Sequence, residues 1–168
     1  HSVTNMAHAN FAIHTVRQTH RVLAGDIPLV QIQSLGRLHV ASFCIDDMRA
    51  QVSRTHFPDM IAWARETARL ARERHCGNCG EMACIAFITL MDRKVAPLDI
   101  LNLTHGDHAF VVIGRDANSE LNKPHTWGKE SIVCDPWQIK SYPGTDLYRR
   151  MTVPGATRGC SLLVRWEG

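Results

Sequence analysis

The 168-residue sequence predicts a single α+β domain with helices first and an antiparallel sheet after them. Apolar residues recur at three- and four-residue spacing in much of the chain as far as Met91, which is typical of helices. After Pro97 they form short runs separated by loops, which is typical of strands. A chain of this length also builds one hydrophobic core. We therefore expect one domain over 1–168, with a helical part over 1–75 and a cysteine-bearing helix plus sheet over 76–168.

The helical part is predicted to contain two helices and two short strands. The first helix spans residues 5–23 and ends before Gly25, a residue type that commonly follows a helix. Strands are expected at 28–33 and 38–44, because the second of these segments nearly alternates between apolar and polar residues. A long amphipathic helix is expected to begin at Asp46 and Asp47 and to run to about residue 74, with Pro58 as its main breaker.

The second part is predicted to place a buried helix before the sheet. Residues 80–91 are apolar on nearly every side, so this helix belongs in the middle of the domain. Strands are expected at 100–103, 109–113, 131–134 and 161–166, and the longest loop spans 115–130.

Composition excludes several classes of protein. An apolar fraction of 45% with 21% charged residues matches globular proteins and excludes a largely disordered chain. The net charge of +3 is too small and too scattered to indicate a nucleic-acid partner. No apolar run reaches the roughly 18–20 residues that a membrane-spanning helix needs. The chain opens on His1 without an initiator methionine, so we expect a fragment of a longer protein or a processed product.

Six cysteines raise the question of disulfides. Three of them lie within Cys76 to Cys84, which is poor spacing for cross-linking distant parts of a fold, and a chain of this size needs no disulfide framework. We therefore expect mostly reduced thiols and action in a reducing cytosol.

Cys79 is the candidate nucleophile. It stands where the buried helix begins, and there the free N–H groups and the positive end of the helix dipole stabilise a thiolate. The same N–H groups can stabilise the oxyanion that forms when a thiolate attacks an amide. Asn78 and Gly80 make the turn and leave room for a substrate, and Asn78 could add a side-chain amide to the oxyanion site.

His108 and Asp135 are the candidate partners of Cys79. His108 opens the strand H-A-F-V-V-I-G, and Asp135 closes the strand S-I-V-C-D. If Ala109 pairs with Cys134 in an antiparallel ladder, His108 falls opposite Asp135, on the same face of the sheet. A carboxylate there could orient the imidazole and stabilise its charged form, so the residues suggest a Cys-His-Asp triad.

These motifs resemble the papain-like fold of bacterial toxin and effector domains. The similarity covers roughly residues 76–137 and rests on G-N-C-G-E at a helix start, H-A-F-V-V-I-G and V-C-D-P-W. The resemblance implies that Cys79 is the nucleophile, His108 the general base and acid and Asp135 the orienting group. It also implies that Trp137 shields the histidine and the aspartate.

The resembling group includes protein-glutamine deamidases and effector cysteine proteases. We expect a cysteine hydrolase that forms a thioester at Cys79 and needs no cofactor or metal, with deamidation of a protein substrate favoured. A protease or a transglutaminase would use the same triad. The resemblance further implies secretion or translocation by a bacterium and action in the cytosol of a target cell.

Several alternatives use other residues. Cys76 is a rival nucleophile, His105 a rival histidine, and Asp99 and Asp116 are rival acids. The pairs Cys76/Cys79 and His105/His108 also have the spacing of a zinc site, which would indicate a zinc-stabilised binding module without enzymatic activity. Glu81 most simply compensates the helix dipole, although it could also bind the leaving amine. Cys84 and Cys134 are expected to face the core.

Overall fold

The computed structural model describes residues 1–19 and 35–168, and the fold is reported for those ranges. The helices are α1 (Val3–Thr19), α2 (Leu35–Ser53), α3 (Met60–Arg74), α4 (Cys79–Asp92) and the short α5 (Leu147–Arg150). The strands are β1 (Leu98–Leu103), β2 (Ala109–Ile113), β3 (Ile132–Asp135), β4 (Lys140–Pro143) and β5 (Cys160–Trp166). None of the helices in these ranges is long and apolar enough to span a membrane.

The five strands form one antiparallel sheet in the order β4-β3-β2-β1-β5. The predicted α+β class, with helices before an antiparallel sheet, is therefore confirmed. Strand β4 was not predicted, because Tyr142 is its one fully buried residue and the strand ends at Pro143. An edge strand tolerates proline, since one of its sides needs no ladder partner.

Helix α4 lies at the centre of the domain. Nine of its fourteen residues are buried, which confirms the predicted buried helix. It packs against α1 and α3 on one side and against β1 and β2 on the other, so its apolar surface is covered all round. The other face of the sheet buries a second cluster, in which Phe110 and Val112 pack with Trp127, Tyr142 and Leu147.

The helical part differs from the prediction in two places. Residues 38–44 are not a strand but belong to α2, because Ile45, Met48 and Val52 continue the segment at helical spacing and pack against the core. The predicted long helix is in fact two helices. The first of them, α2, ends at Ser53, and the second, α3, begins at Met60. The Asp59 carboxylate caps α3 by accepting the Ala62 N–H at 2.8 Å. The strand predicted at 28–33 and Gly25 lie outside the described residues.

Four of the six cysteines are free, in line with the prediction of mostly reduced thiols, but the other two are paired. Cys44 and Cys76 form a disulfide that joins α2 to the turn before α4, whereas Cys79, Cys84, Cys134 and Cys160 are free. Spacing along the chain misled the prediction, because the two partners lie 32 residues apart and meet only when α2 packs beside α3.

Removing this disulfide is expected to lower the free energy of unfolding by about 2–4 kcal/mol, because it closes a loop of intermediate length. Urea unfolding of the wild type with and without dithiothreitol measures this difference. The Cys44→Ala/Cys76→Ala double variant is the control and should be insensitive to the reductant. Equal stability of the oxidised and reduced wild type would contradict the expectation.

Candidate active site

Cys79 is the first residue of α4 and is half-buried. The turn before it includes His75 in the left-handed conformation (φ 54°) and Asn78 in an extended one. Cys79 and Gly80 occupy the first positions of the helix, where backbone N–H groups have no partner within a helix. Apart from its chain neighbours and the backbone of its own helix, no atom lies within 4 Å of the Cβ position that a side chain on Gly80 would take. The space beside the second residue of the helix is therefore open.

The buried carboxylate of Glu81 holds this turn in place. Its Oε1 accepts the backbone N–H of Asn78 at 2.9 Å, which ties the start of the helix to its third residue. Arg49 of α2 donates to the same carboxylate from two nitrogens, at 2.9 and 3.2 Å. Glu81 is 6% exposed, so the arginine supplies the charge that a buried carboxylate requires.

His108 is held at the start of β2. Its backbone carbonyl accepts the N–H of Leu103 on β1 at 2.9 Å, and its side chain is buried. His108 directly precedes β2, and its ring stacks on that of Phe110. The imidazole ring therefore has little freedom to turn away from its partners.

The sequence-based register was wrong by two residues, although His108 and Asp135 still meet. Val111 pairs with Cys134 and Ile113 with Ile132, whereas the prediction paired Ala109 with Cys134. A shift by an even number of residues leaves every side chain on its expected face, because the strand period is two. Asp135 is consequently a diagonal neighbour of His108, and its Oδ2 lies 2.5 Å from His108 Nε2.

Asp135 is fully buried and is oriented by its own turn. Its second oxygen, Oδ1, accepts the backbone N–H of Gln138 at 3.1 Å, a contact that the Asp-Pro-Trp-Gln turn creates. One carboxylate oxygen thus faces the histidine while the other is anchored to the backbone. Since Nε2 is engaged by Asp135, Nδ1 is the ring nitrogen left to face the Cys79 sulfur.

Two aromatic rings flank His108. Phe110 stacks on the imidazole with ring centroids 5.9 Å apart, and the Trp137 ring lies tilted at 5.4 Å. Trp137 is 39% exposed, so one of its sides faces solvent. The structure thus places Trp137 against His108.

The surroundings of His108 favour its protonated form. Burial by itself lowers its pKa, but hydrogen bonds with Asp135 and Cys79, together with the negative charges of both, outweigh burial. The net result raises the pKa of His108 from 6.5 to about 9. At neutral pH the ring is therefore an imidazolium that donates to Asp135 and can pair with a Cys79 thiolate.

Arg49 adds a second positive charge near the nucleophile. Burial lowers the pKa of Arg49, whereas its hydrogen bond with Glu81 and the charges of Glu81, Cys79 and Asp107 raise it above its usual value overall. The guanidinium therefore interacts electrostatically with the Cys79 sulfur as well as with Glu81. Arg49 thus links Glu81 to the surroundings of the candidate nucleophile.

The rival residues lie elsewhere or are engaged. Cys76 is bonded to Cys44, so in this state it is neither a thiolate nucleophile nor a zinc ligand. Asp99 is buried against Arg115 and Arg165, and Asp116 accepts the backbone N–H of Asn118 in its own loop. His105 stands in an exposed turn, and Cys84 and Cys134 are buried in the core. In the described ranges, no three His, Cys, Asp or Glu side chains are grouped as metal ligands.

Sequence reasoning missed Arg49, Phe110 and Gln138 as parts of the site. The Asn78-x-x-Glu81 spacing is that of a capping box and indicates a carboxylate folded back onto the helix start. Nothing local to residue 49 indicates its role, because α2 reaches Glu81 only through tertiary packing.

Comparisons with protein-family models, curated proteins and solved structures found no match for this chain.

The raised pKa of His108 predicts a defined dependence of stability on pH. A pKa of about 9 in the folded state lies above the ordinary value of 6.5. The protonated ring therefore contributes stability that is complete below the ordinary pKa and is lost as the pH rises through about 9. NMR titration of the imidazole measures this pKa directly, and Asp135→Asn should lower it. An unchanged pKa in that variant would show that the carboxylate does not support the charge.

Replacing Arg49 is expected to destabilise the fold, because it leaves the Glu81 carboxylate buried without its cation. Arg49→Gln should lower the free energy of unfolding by about 1–3 kcal/mol. Arg65→Gln is the matched control, since Arg65 pairs with Asp92 on the surface and both partners are about half exposed. The control should change stability by less than about 1 kcal/mol. Urea unfolding of both variants checks the difference, and equal losses would contradict it.

Proposed function

We propose that this protein is a thiol-dependent amidohydrolase with a papain-like Cys79-His108-Asp135 triad. The observation that carries the proposal is that Cys79, at the start of a buried helix, interacts with a histidine whose far nitrogen is held by a buried aspartate. A nucleophile, a proton donor and an orienting group in this order are what attack on a carboxamide requires.

In the proposed reaction, each step is carried out by a residue of the site. The Cys79 thiolate attacks the carboxamide carbon, forming a C–S bond, and the oxyanion faces the N–H groups of Cys79 and Gly80. His108 then donates its proton to the nitrogen as the C–N bond breaks, which leaves a thioester and a free amine. A water molecule, deprotonated by neutral His108, attacks the thioester and releases a carboxylate and the thiolate. Asp135 keeps Nε2 engaged, so that Nδ1 carries the transferred proton.

Within this chemistry we favour deamidation of a glutamine in a protein substrate. The support is the resemblance of residues 76–137 to toxin and effector deamidases, which is an argument by analogy. A peptide amine as leaving group would make the same triad a protease, and a second amine in place of water would make it a transglutaminase.

The place of action remains part of this proposal. The toxin-like resemblance supports secretion or translocation by a bacterium, followed by action in a target cell. The Cys44–Cys76 disulfide supports passage through an oxidising compartment, since disulfides form and persist there.

The triad predicts selective alkylation of Cys79. Iodoacetamide should modify Cys79 at least about tenfold faster than the other three free cysteines, because those are buried whereas Cys79 is half-buried and hydrogen-bonds with His108. His108→Ala should slow this reaction, whereas His105→Ala, which removes an exposed histidine three residues away, should leave it unchanged. Peptide mapping by mass spectrometry gives the rates. Equal reactivity of Cys79 in all three proteins would refute the triad.

Incubation of the wild-type protein with a substrate then distinguishes the possible reactions. Intact mass of a glutamine-containing substrate should rise by about 1 Da on deamidation, fragments would indicate proteolysis, and an amine adduct would indicate transglutamination. Cys79→Ala should abolish the reaction. Full activity of Cys79→Ala would exclude the mechanism.

A further inference from the structure

Residues 152–155 contact both of the segments that hold the candidate histidine–aspartate pair. They lie in the connection between α5 and β5. The residues on either side of them are fixed in place, since Met151 and Ala156 are buried in the same cluster as Phe110. The Phe110 ring in turn stacks on His108. The 152–155 segment is therefore anchored in the core beside the site.

The first contact is with the turn that orients Asp135. The Thr152 hydroxyl accepts a hydrogen bond from Gln138 Nε2 at 2.9 Å. Gln138 is also the residue whose backbone N–H donates to the Asp135 carboxylate at 3.1 Å. The Gln138 side chain thus connects the turn of the aspartate to the 152–155 segment.

The turn that follows Asp135 contains a strained residue. Ile139 has a φ of 57°, a left-handed conformation that costs free energy for a β-branched residue. The residue is 55% exposed, so little packing holds it in this conformation. Contacts with other elements must therefore keep the turn from relaxing. The hydrogen bond between Gln138 and Thr152 is such a contact, because it comes from outside the β3–β4 hairpin.

The second contact is with the loop that leads into His108. Two glycines allow the backbones to cross closely there. A Cβ on Gly106 would lie 2.7 Å from the carbonyl oxygen of Pro154. A Cβ on Gly155, which has a φ of 88°, would overlap the carbonyl group of His105. Backbones approach each other this closely only where side chains are absent. The crossing therefore fixes the loop two residues before the candidate histidine.

We propose that the 152–155 segment is a positioning element, which keeps His108 and Asp135 in contact with each other. Thr152 acts on the turn of the aspartate through Gln138, and Gly155 acts on the loop before the histidine. Both are positioning residues, because each acts through another residue. The anchored segment gives two loops of the sheet a common rigid support. The catalytic meaning of this inference rests on the proposed function.

Thr152→Val tests the first contact. It keeps the shape of the side chain and removes a hydroxyl at an exposed position, so the fold should be retained. The pKa of His108, measured by NMR titration, should fall from about 9 toward 6.5, because a less firmly held Asp135 stabilises the imidazolium less. Alkylation of Cys79 by iodoacetamide should slow about two- to tenfold, which corresponds to the loss of one hydrogen bond. Thr152→Ser should restore both values.

Two controls distinguish positioning from a general loss of stability. Thr15→Val removes a hydroxyl that bonds within α1, and it should leave the pKa of His108 and the alkylation rate unchanged. Gln138→Met keeps the backbone N–H and removes the side-chain donor, so Thr152→Val should have no further effect in that background. A full second effect in that background, or wild-type values in Thr152→Val itself, would overturn the proposal.

Gly155→Ala tests the second contact, with Gly128→Ala as its matched control. Both glycines have a positive φ, so alanine strains the backbone at either position. A Cβ on Gly128 would make only an ordinary contact, with Asp116 Cβ at 3.7 Å. Gly155→Ala should slow the alkylation of Cys79 about tenfold or more and lower the pKa of His108, whereas the control should change neither. Equal values in the two variants would overturn the proposal, and if Gly155→Ala does not fold, the Thr152 variants decide it.

Failure of the proposed function has a different signature. If Thr152→Val lowers the pKa of His108 while Cys79 of the wild type is not selectively alkylated, the positioning element stands and the hydrolase proposal falls. If Cys79 and His108 behave as a reactive pair in the wild type while Thr152→Val changes nothing, the hydrolase proposal stands and the positioning element falls.

Discussion

The ion pair between Glu81 and Arg49 is the interaction on which the site depends. The Glu81 carboxylate accepts the Asn78 N–H within the turn, and Arg49 connects that carboxylate to α2. The Cys44–Cys76 disulfide attaches the same helix to the turn from the other side. Helix α2 therefore holds the chain both before and after Cys79. The first half of the protein thereby limits how far the candidate nucleophile can move relative to the sheet.

The charges of the site are arranged in pairs. Asp135 is buried opposite His108, and Glu81 is buried opposite Arg49, so each buried carboxylate has a cation. Both cations also interact with Cys79, which contributes to raising the pKa of His108 and that of Arg49. The Cys79 sulfur is thus within electrostatic reach of a cation on the side of the sheet and of another on α2. The proposed nucleophilic attack and proton transfer rest on this arrangement.

The elements after Cys79 could be predicted closely except for β4, whereas before Cys79 the helices α1 and α3 were expected and α2 was not. Helix α4 and strand β2 have strong apolar patterns, because both faces of each are covered in the fold. The segment 38–44 alternates by chance, and its helical state depends on Ile45 and Met48 packing against the core. Local alternation over a few residues does not distinguish a strand from a helix whose apolar face is completed farther along the chain.

The sequence by itself determined which residue types could form a site and on which face of a strand or end of a helix they stand. Strand periodicity placed His108 and Asp135 on one face, since an even shift of register preserves the face. Only the tertiary structure decided the register itself, the pairing of Cys44 with Cys76 and the arrival of Arg49 at Glu81. Those contacts join distant segments of the chain. Which of these contacts form depends on how whole helices and strands pack, and local sequence patterns carry no information about that packing.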